Sequence, residues 1–319
     1  MILNRFVGGP INEPRLKKVY LINNFEYTTC NYMCKYCFLG KISRDSCPVY
    51  QSRLSRIERQ VEEYIGKYGL RSVKSILISP IGEPTLDPNL PTLLKYMKSY
   101  GVPVAIYTNG SRLVEDRIFK LLKQFDIVTV KFDTLRIDVI ENLNKPNIKL
   151  DPEKIYYNLV KFRREYRGKL YLDVMLVDGY NDYREDLDEL IAAIKTINPN
   201  KVFLNTPYYP NRGGARPPRN GTISYIYSRL TKFMPNRVEI IDYLPEPYSN
   251  KKIEDPIEEF IYLSTVNPMT VEDAYEYFKM FGLDPEETLE ELIRLGDVEI
   301  VKWLDREYVI ANVIARRLT

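Results

Sequence analysis

Apolar residues along the first two thirds of the chain follow two alternating patterns. Short apolar runs bounded by polar or turn-forming residues predict buried strands, and apolar residues three or four positions apart predict amphipathic helices. The predicted strands span residues 18–23, 73–79, 102–108, 127–132, 170–177 and 202–205. The predicted helices span residues 51–68, 90–97, 114–123, 152–167 and 182–197.

This alternation predicts the fold class of the larger part of the chain. Strands that alternate with helices form β–α units and pair into a parallel sheet, so the class is α/β. Six such units fall short of the eight in a complete barrel, which predicts a partial (β/α)6 barrel. In parallel barrels the chemistry lies at the carboxyl ends of the strands, so the polar segments after each strand are the candidate site residues.

The last quarter of the chain has a different pattern. Residues 244–252 are rich in proline and polar residues, which predicts a linker between a core of residues 1–243 and a small domain of residues 253–319. Helical spacing at 256–264, 271–280 and 285–295 precedes a predicted hairpin of residues 298–303 and 308–311, an order that resembles a winged helix. The third helix is strongly acidic, which argues against contact with DNA phosphates.

Charge is divided unequally between these two parts. Residues 253–319 hold 16 acidic and 6 basic residues, whereas residues 1–252 hold 27 acidic and 40 basic residues. The net charges are therefore −10 and +13, within a whole-chain charge of +3. Such an imbalance indicates either an anionic partner for the basic part or mutual attraction between the two parts, and both interpretations stay open.

Composition excludes several classes of protein. The chain of 319 residues has no histidine, which rules out Ser-His-Asp and Cys-His catalysis. No stretch reaches the roughly 18 apolar residues of a membrane helix, and no signal-peptide core is present at the N-terminus. Because the four cysteines form no disulfide framework, we expect a cytoplasmic protein. Few glutamines and many Lys, Glu and Ile residues are typical of a thermophile.

Three of the four cysteines, Cys30, Cys34 and Cys37, lie within eight residues. A zinc ion would need a fourth ligand, which Cys47 or a carboxylate would have to supply. Three thiolates from one loop also suit three irons of a four-iron, four-sulfur (4Fe–4S) cluster, with the fourth iron left open for a small molecule. The residues favour the cluster and leave zinc as the alternative.

The cysteine spacing, with Tyr36 just before the last cysteine, resembles the signature of the radical S-adenosylmethionine (SAM) superfamily, whose core is also a partial barrel. The resemblance implies that Cys30, Cys34 and Cys37 hold a 4Fe–4S cluster whose open iron is chelated by the methionine part of SAM. It further implies that one electron, from a ferredoxin- or flavodoxin-like donor, cleaves SAM. The product would be a 5′-deoxyadenosyl radical that abstracts hydrogen from a substrate.

The resemblance continues at the predicted strand ends. Gly82-Glu83-Pro84 matches the element that holds the SAM amino group, although Ile81 stands where a first glycine often lies. Thr108-Asn109-Gly110 and Asp133 match positions that usually hold the methionine carboxylate or the ribose. The SAM-binding residues implied by the resemblance are Tyr36, Gly82, Glu83, Thr108, Asn109, Asp133 and Asn205.

A narrower resemblance rests on Phe6-Val7-Gly8-Gly9-Pro10, on Gly82-Glu83-Pro84-Thr85-Leu86, and on Asn205-Thr206-Pro207 followed by Arg216-Pro217-Pro218. These motifs look like those of a group of archaeal and bacterial iron–sulfur proteins related to the tRNA wyosine-base synthases. Those synthases carry a second cluster on additional cysteines, and beyond the first three this sequence offers Cys47 alone. The relationship is therefore expected, and the wyosine reaction itself is in doubt.

Three functions stay open at this point. The first is a radical enzyme acting on RNA, in particular tRNA, bound by the basic part and by Arg212, Arg216 and Arg219 in a loop over the active-site face. The second keeps the chemistry but takes a peptide or protein substrate, presented by the acidic domain. The third is a non-catalytic iron–sulfur regulatory protein, which predicts a degraded SAM pocket.

Overall fold

The structure, a computed structural model, describes residues 5–26, 28–39, 51–71, 73–78, 81–211, 213–241 and 253–312. One eight-stranded sheet contains strands in chain order. β1 runs antiparallel to β2, and all later neighbours are parallel. The strands are β1 (Val7–Glu13), β2 (Lys17–Ile22), β3 (Ser75–Ile78), β4 (Val104–Thr108), β5 (Ile127–Lys131), β6 (Lys169–Met175), β7 (Lys201–Asn205) and β8 (Val238–Ile240).

The partial barrel predicted from the sequence is confirmed, and its sheet has two strands beyond the predicted six. β8 is only three residues long, too short to produce a pattern. β1 contains Gly8, Gly9 and Pro10, residues that normally argue against a strand but are tolerated at a sheet edge. Gly8 is needed there, because a Cβ at this position would come within 2.5 Å of the Tyr262 ring.

Helices flank the strands along the chain. They are α1 (Gln51–Tyr68), α2 (Leu90–Lys98), α3 (Asp116–Leu122), α4 (Ile137–Val139), α5 (Pro152–Glu165), α6 (Arg184–Ile197) and α7 (Thr222–Thr231). The short α4 continues directly into a π-helical turn, Ile140–Asn144. Among the residues that the structure describes, no helix combines the length and the apolar character needed to cross a membrane.

The two faces of the sheet differ in chemistry. Ile106, Val128 and Leu172 on neighbouring strands are completely buried and belong to the hydrophobic core. Side chains alternate between faces along a strand, so residues an odd number of positions away point to the opposite face. There Tyr107 and Lys131 line a cavity inside the barrel, which places polar groups where the chemistry is expected.

The C-terminal part contains helices and a second, three-stranded sheet. Its elements are α8 (Pro256–Val266), β9 (Met269–Thr270), α9 (Val271–Met280), α10 (Pro285–Arg294), β10 (Val298–Trp303) and β11 (Arg306–Ala311). The sheet has the order β10-β11-β9, with antiparallel pairs. The three helices and the hairpin thus lie in the predicted order. The winged-helix assignment and the domain boundaries stay predictions, and the predicted linker lies outside the described residues.

α8 is bound tightly to the edge of the barrel. The buried carboxylate of Glu259 accepts a hydrogen bond of 2.9 Å from the Gly9 backbone amide and pairs with Arg5. Burial raises the pKa of Glu259, and the Arg5 charge opposes that shift. Tyr262 on the same helix packs against Gly8. Removing the C-terminal part would therefore uncover β1 and leave the Arg5 charge without its buried partner.

Candidate active site

The loop that carries the three cysteines follows β2 and is joined to the end of β3 by a backbone bridge between Thr29 and Gly82. The Thr29 amide donates to the Ile81 carbonyl at 3.0 Å, and the Glu83 amide donates to the Thr29 carbonyl at 2.8 Å. Gly82 has a φ of +153°, and a Cβ there would overlap the Thr29 carbonyl group. Glycine at this position is therefore what lets the two backbones approach.

A second segment, residues 143–147 at the end of the π turn and just beyond it, holds the other side of the cysteine loop. The Met33 amide donates to the Asn144 carbonyl at 3.0 Å, and the Lys35 amide donates to the Leu143 carbonyl at 2.8 Å. In the opposite direction, the Asn147 amide donates to the Asn31 carbonyl at 2.9 Å. The loop geometry thus depends on a segment more than a hundred residues away, which no local pattern in the sequence indicated.

The three thiols are partly buried, and Cys34 and Cys37 line the barrel cavity, whose volume is about 350 Å³. Burial raises the pKa of the Cys37 thiol to about 12 and also raises the pKa of Cys30 and of Cys34. At Cys34 the Lys131 charge, and a hydrogen bond from the Asn144 side-chain amide, oppose this shift. Metal binding would have to displace these protons, because the ligand form of cysteine is the thiolate.

The donor set fits a cluster better than a single ion. Within the described part of the chain, no three Cys, Asp or Glu side chains are grouped closely enough for one metal ion. A 4Fe–4S cube takes each thiolate at a different iron, so its ligands lie farther apart than those of tetrahedral zinc. Cys47, the alternative fourth zinc ligand, lies outside the described residues.

Glu83, the implied contact for the SAM amino group, is almost completely buried in a network of hydrogen bonds. Its Oε1 accepts from the Thr85 amide at 3.1 Å, the Thr85 hydroxyl at 2.5 Å and the Thr108 hydroxyl at 2.8 Å, while Oε2 accepts from the Asn109 amide at 2.6 Å. Burial raises the pKa of Glu83, and these hydrogen bonds oppose the shift. Glu83 thus ties the ends of β3 and β4 together.

Asn109 extends this network to the cysteine loop. Its Nδ2 donates to Asn31 Oδ1 at 2.8 Å and lies 3.9 Å from Cys30 Sγ. Asn31 Nδ2 in turn donates to the Ser111 hydroxyl at 2.8 Å. The structure therefore places Gly82, Glu83, Thr108 and Asn109 together beside the loop. Asn31 and Ser111, which the resemblance did not name as SAM contacts, join them.

Asp133 and Tyr36, two further residues implied by the resemblance, bind each other. The Tyr36 hydroxyl donates to Asp133 Oδ2 at 2.6 Å, and the Met175 amide donates to Asp133 Oδ1 at 2.9 Å. Asn144 Nδ2 lies 3.1 Å from the same Asp133 Oδ2. Burial raises the pKa of Tyr36 well above its usual value, with the Asp133 charge acting in the same direction. This pair fixes the loop residue next to Cys37.

The barrel cavity brings together polar residues from several strands. Asn205, implied as a SAM contact, lies in its wall with Lys131 and with an ion pair in which Arg15 Nη2 is 3.0 Å from Asp173 Oδ1. Lys131 Nζ is 3.8 Å from Asp133 Oδ2, beyond hydrogen-bond distance.

Burial alone lowers the pKa of Lys131, but the charges of Asp133 and Asp173 outweigh it and keep the group protonated. The sequence did contain a signal for two of the charged residues that line the barrel cavity. Lys131 and Asp173 are charged residues within predicted buried strands, whereas nothing in the sequence places Arg15 in the barrel.

The segment after β7 closes one side of the cavity together with the C-terminal part. The Tyr209 hydroxyl donates to Asn267 Oδ1 at 2.6 Å, and the Tyr209 ring lies 5.3 Å from that of Phe38 in the cysteine loop. Of the three arginines expected over this face, Arg216 and Arg219 are both exposed, and Arg219 lies 3.6 Å from Asp178 and 3.5 Å from Asp182. Arg212 lies outside the described residues.

A partial parallel barrel with a three-cysteine loop at the carboxyl end of β2 is the architecture of an iron–sulfur enzyme class that uses SAM. The family model for the radical SAM superfamily matches residues 27–194, more than half of the chain. The chain therefore belongs to the radical SAM superfamily, and the family implies a 4Fe–4S cluster and SAM as cofactors.

The chain is also similar to individual proteins of known sequence or structure. A UPF0026 protein of Methanocaldococcus jannaschii is 25% identical over 313 residues, which cover 97% of this chain and 96% of the relative. A SAM-dependent nucleotide dehydratase of Flammeovirga pacifica is 25% identical over 176 residues, 54% of this chain and 59% of the relative. The solved structure of TYW1 with a lysine–pyruvate adduct bound has a TM-score of 0.50 at 17% identity, covering 68% of this chain and 74% of that one.

Proposed function

We propose that this protein is a radical SAM enzyme in which Cys30, Cys34 and Cys37 bind the 4Fe–4S cluster and the barrel cavity binds SAM and the reacting part of the substrate. The observation that carries the proposal is that Cys34 and Cys37 open into the same cavity as Lys131 and Asn205. When bound, the cluster and SAM supply a 5′-deoxyadenosyl radical for hydrogen abstraction. The protein supplies position and exclusion of water.

Lys131 is the residue that we propose for the SAM carboxylate. Its ammonium group lies 4.3 Å from the centre of the Tyr36 ring and beyond hydrogen-bond distance of Asp133, so its donors can serve an anion. Glu83, with all its contacts to Thr85, Thr108 and Asn109, acts mainly by holding the strand ends in place. Direct contacts of SAM with Tyr36, Gly82, Glu83, Thr108, Asn109, Asp133 and Asn205 stay predictions.

Iron content tests the metal assignment. Anaerobic reconstitution should give about four irons per chain with the absorption and electron paramagnetic resonance (EPR) spectra of a 4Fe–4S cluster. Cys30→Ala, Cys34→Ala and Cys37→Ala should each abolish that cluster, while Cys47→Ala should retain it. Tetrahedral zinc in the anaerobically purified protein, or loss of the cluster in the Cys47 variant alone, would contradict the assignment.

Turnover tests the enzymatic part of the proposal. The reduced, reconstituted protein should convert SAM slowly to 5′-deoxyadenosine even without substrate, because the radical chemistry belongs to the cofactors. A protein that binds the cluster but neither binds nor cleaves SAM would instead be the non-catalytic iron–sulfur protein. That result would reject the enzyme and leave the metal assignment intact.

For the substrate we propose RNA. Support comes from the charge of +13 on residues 1–252, from the exposed Arg216 on the segment that borders the cavity, and from a relative named as a nucleotide dehydratase. Phosphate contacts make binding fall with salt, with a log–log slope of about −0.7 to −0.9 for each neutralised phosphate. Binding of tRNA should therefore weaken steeply as salt increases.

A matched pair of variants localises the RNA contact. Arg216→Ala should reduce the salt slope by about one unit, because one phosphate contact is lost. Arg164→Ala is the control, since it removes an exposed arginine at the end of α5, away from the carboxyl ends of the strands. A flat salt dependence, or equal effects of both variants, would contradict an RNA substrate at this face and favour the peptide alternative.

A further inference from the structure

Asn144 is a buried amide that contacts three groups of the candidate site. Asn144 is 3% exposed and is the last residue of the π turn Ile140–Asn144. Nδ2 lies 2.6 Å from the Tyr36 hydroxyl, 3.1 Å from Asp133 Oδ2 and 3.5 Å from Cys34 Sγ. Insertions of π type occur frequently at functional sites, so the geometry of this turn has a reason to be sought in what Asn144 contacts.

The surroundings fix which way the Asn144 amide points. The Tyr36 hydroxyl gives its own proton to Asp133, so it can only accept from Asn144. An amide oxygen facing the Asp133 carboxylate would be repelled, whereas the amide nitrogen has two protons to donate. One proton serves Tyr36 and Asp133, and the other is left for the sulfur of Cys34.

The backbone of Asn144 adds a second constraint. Its carbonyl accepts from the Met33 amide at 3.0 Å, next to Cys34. The side chain and the main chain of one residue therefore hold the same stretch of the cysteine loop. The N–H···S contact is thus part of the framework that holds the loop.

We propose that Asn144 sets the reduction potential of the cluster by donating a hydrogen bond to the sulfur of Cys34. This inference rests on the proposed function, in which Cys34 is a cluster ligand. Reduction adds one electron from an external donor to the cluster, and no bond to the protein forms or breaks. Because the added charge spreads onto the sulfurs, a donor at Cys34 stabilises the reduced state more than the oxidised one and makes the potential less negative.

A redox titration of the reconstituted protein without SAM measures this effect. Asn144→Ala and Asn144→Leu both remove the donor, and they differ in that alanine leaves space whereas leucine has nearly the shape of asparagine. In each we expect a midpoint potential lower by about 59 mV, which is a tenfold less favourable one-electron reduction. The potential is followed by the EPR signal of the reduced cluster in the presence of mediators.

Asn142→Ala provides the control on the same turn, since Asn142 is exposed and its amide bonds only locally, 2.8 Å from the Asp138 carbonyl. Equal shifts in both Asn144 variants and none in Asn142→Ala would support the proposal. Unchanged potentials in iron-loaded Asn144 variants, or an equal shift in Asn142→Ala, would refute it. Loss of iron from both Asn144 variants, with wild type loaded, would make Asn144 a loop-building residue and also refute tuning.

Wild-type protein without any cluster would reject the proposed function itself, a result that the iron analysis detects before any potential is measured.

Discussion

Replacing Gly82 by alanine should displace the cysteine loop and prevent cluster assembly. The new Cβ would overlap the carbonyl oxygen of Thr29 and lie 2.5 Å from its carbonyl carbon, a distance that non-bonded atoms do not reach. Both groups are backbone, so no side-chain rotation can relieve the overlap. Thr29 has to retreat, and Cys30 is the next residue in the chain.

The cost of Gly82→Ala can be worked out from the contacts that break. Two backbone hydrogen bonds cross the bridge, Thr29 to Ile81 at 3.0 Å and Glu83 to Thr29 at 2.8 Å. Each contributes about 0.5–1.5 kcal/mol net. Holding alanine at a φ of +153° adds about 1–3 kcal/mol of strain. The free energy of unfolding should therefore fall by about 2–6 kcal/mol.

Two measurements test this reasoning, a urea denaturation of the apoprotein and the iron content after anaerobic reconstitution. Gly101→Ala is the matched control, because Gly101 also has a positive φ, +71°, but nothing lies within 4 Å of the added Cβ. The control should lose about 1–2 kcal/mol from its backbone conformation and keep its iron. Equal stability of the two variants, with full iron in both, would show that the Thr29–Gly82 bridge does not hold the loop.

Three further variants probe the site and the core. Lys131→Met should weaken SAM binding about 10- to 100-fold in calorimetry without changing iron content. Lys149→Met, which changes an exposed lysine, should alter neither SAM affinity nor iron content. Unchanged SAM affinity in Lys131→Met would show that Lys131 does not contact SAM. Glu83→Ala leaves four hydrogen-bond donors, from Thr85, Thr108 and Asn109, without their acceptor. It should therefore lower the free energy of unfolding by about 4 kcal/mol or more. A free energy of unfolding equal to that of wild type would contradict this role of Glu83. Burial raises the pKa of Tyr20 to about 12. The stability that the neutral Tyr20 side chain contributes is therefore complete below the unfolded pKa of about 10 and is lost as pH rises towards 12. Tyr20→Phe should flatten the loss of unfolding free energy between these two pH values, and identical pH profiles of the variant and wild type would refute the raised pKa of Tyr20.

Much of the fold could be predicted from the sequence because its signals are local. The apolar run at residues 127–132 and the helical spacing at residues 51–68 depend only on neighbours in the chain, and the structure places β5 and α1 there. β1 was missed because Gly8, Gly9 and Pro10 suit a strand only where an edge is covered by another element. That element is α8, which lies some 250 residues later in the sequence.

The site divides in the same way. The three-cysteine spacing and the polar strand ends at Gly82, Glu83 and Asn109 are readable from the sequence, since each is a short motif. Their partners are not readable, because they come from distant segments. Asn144 reaches Cys34 from the end of the π turn Ile140–Asn144, and nothing in the neighbouring sequence indicates that contact.

The sequence by itself determined the class of chemistry, because three thiols in one loop constrain the cofactor wherever the loop lies. It also determined the rhythm of strands and helices, which follows from local burial. Only the tertiary structure decided what those thiols face. The register of parallel strands places Lys131 opposite Asp173, and the β1–β2 turn brings Arg15 to that pair. Such contacts depend on how the sheet curls, a property of all the strands together and of none alone.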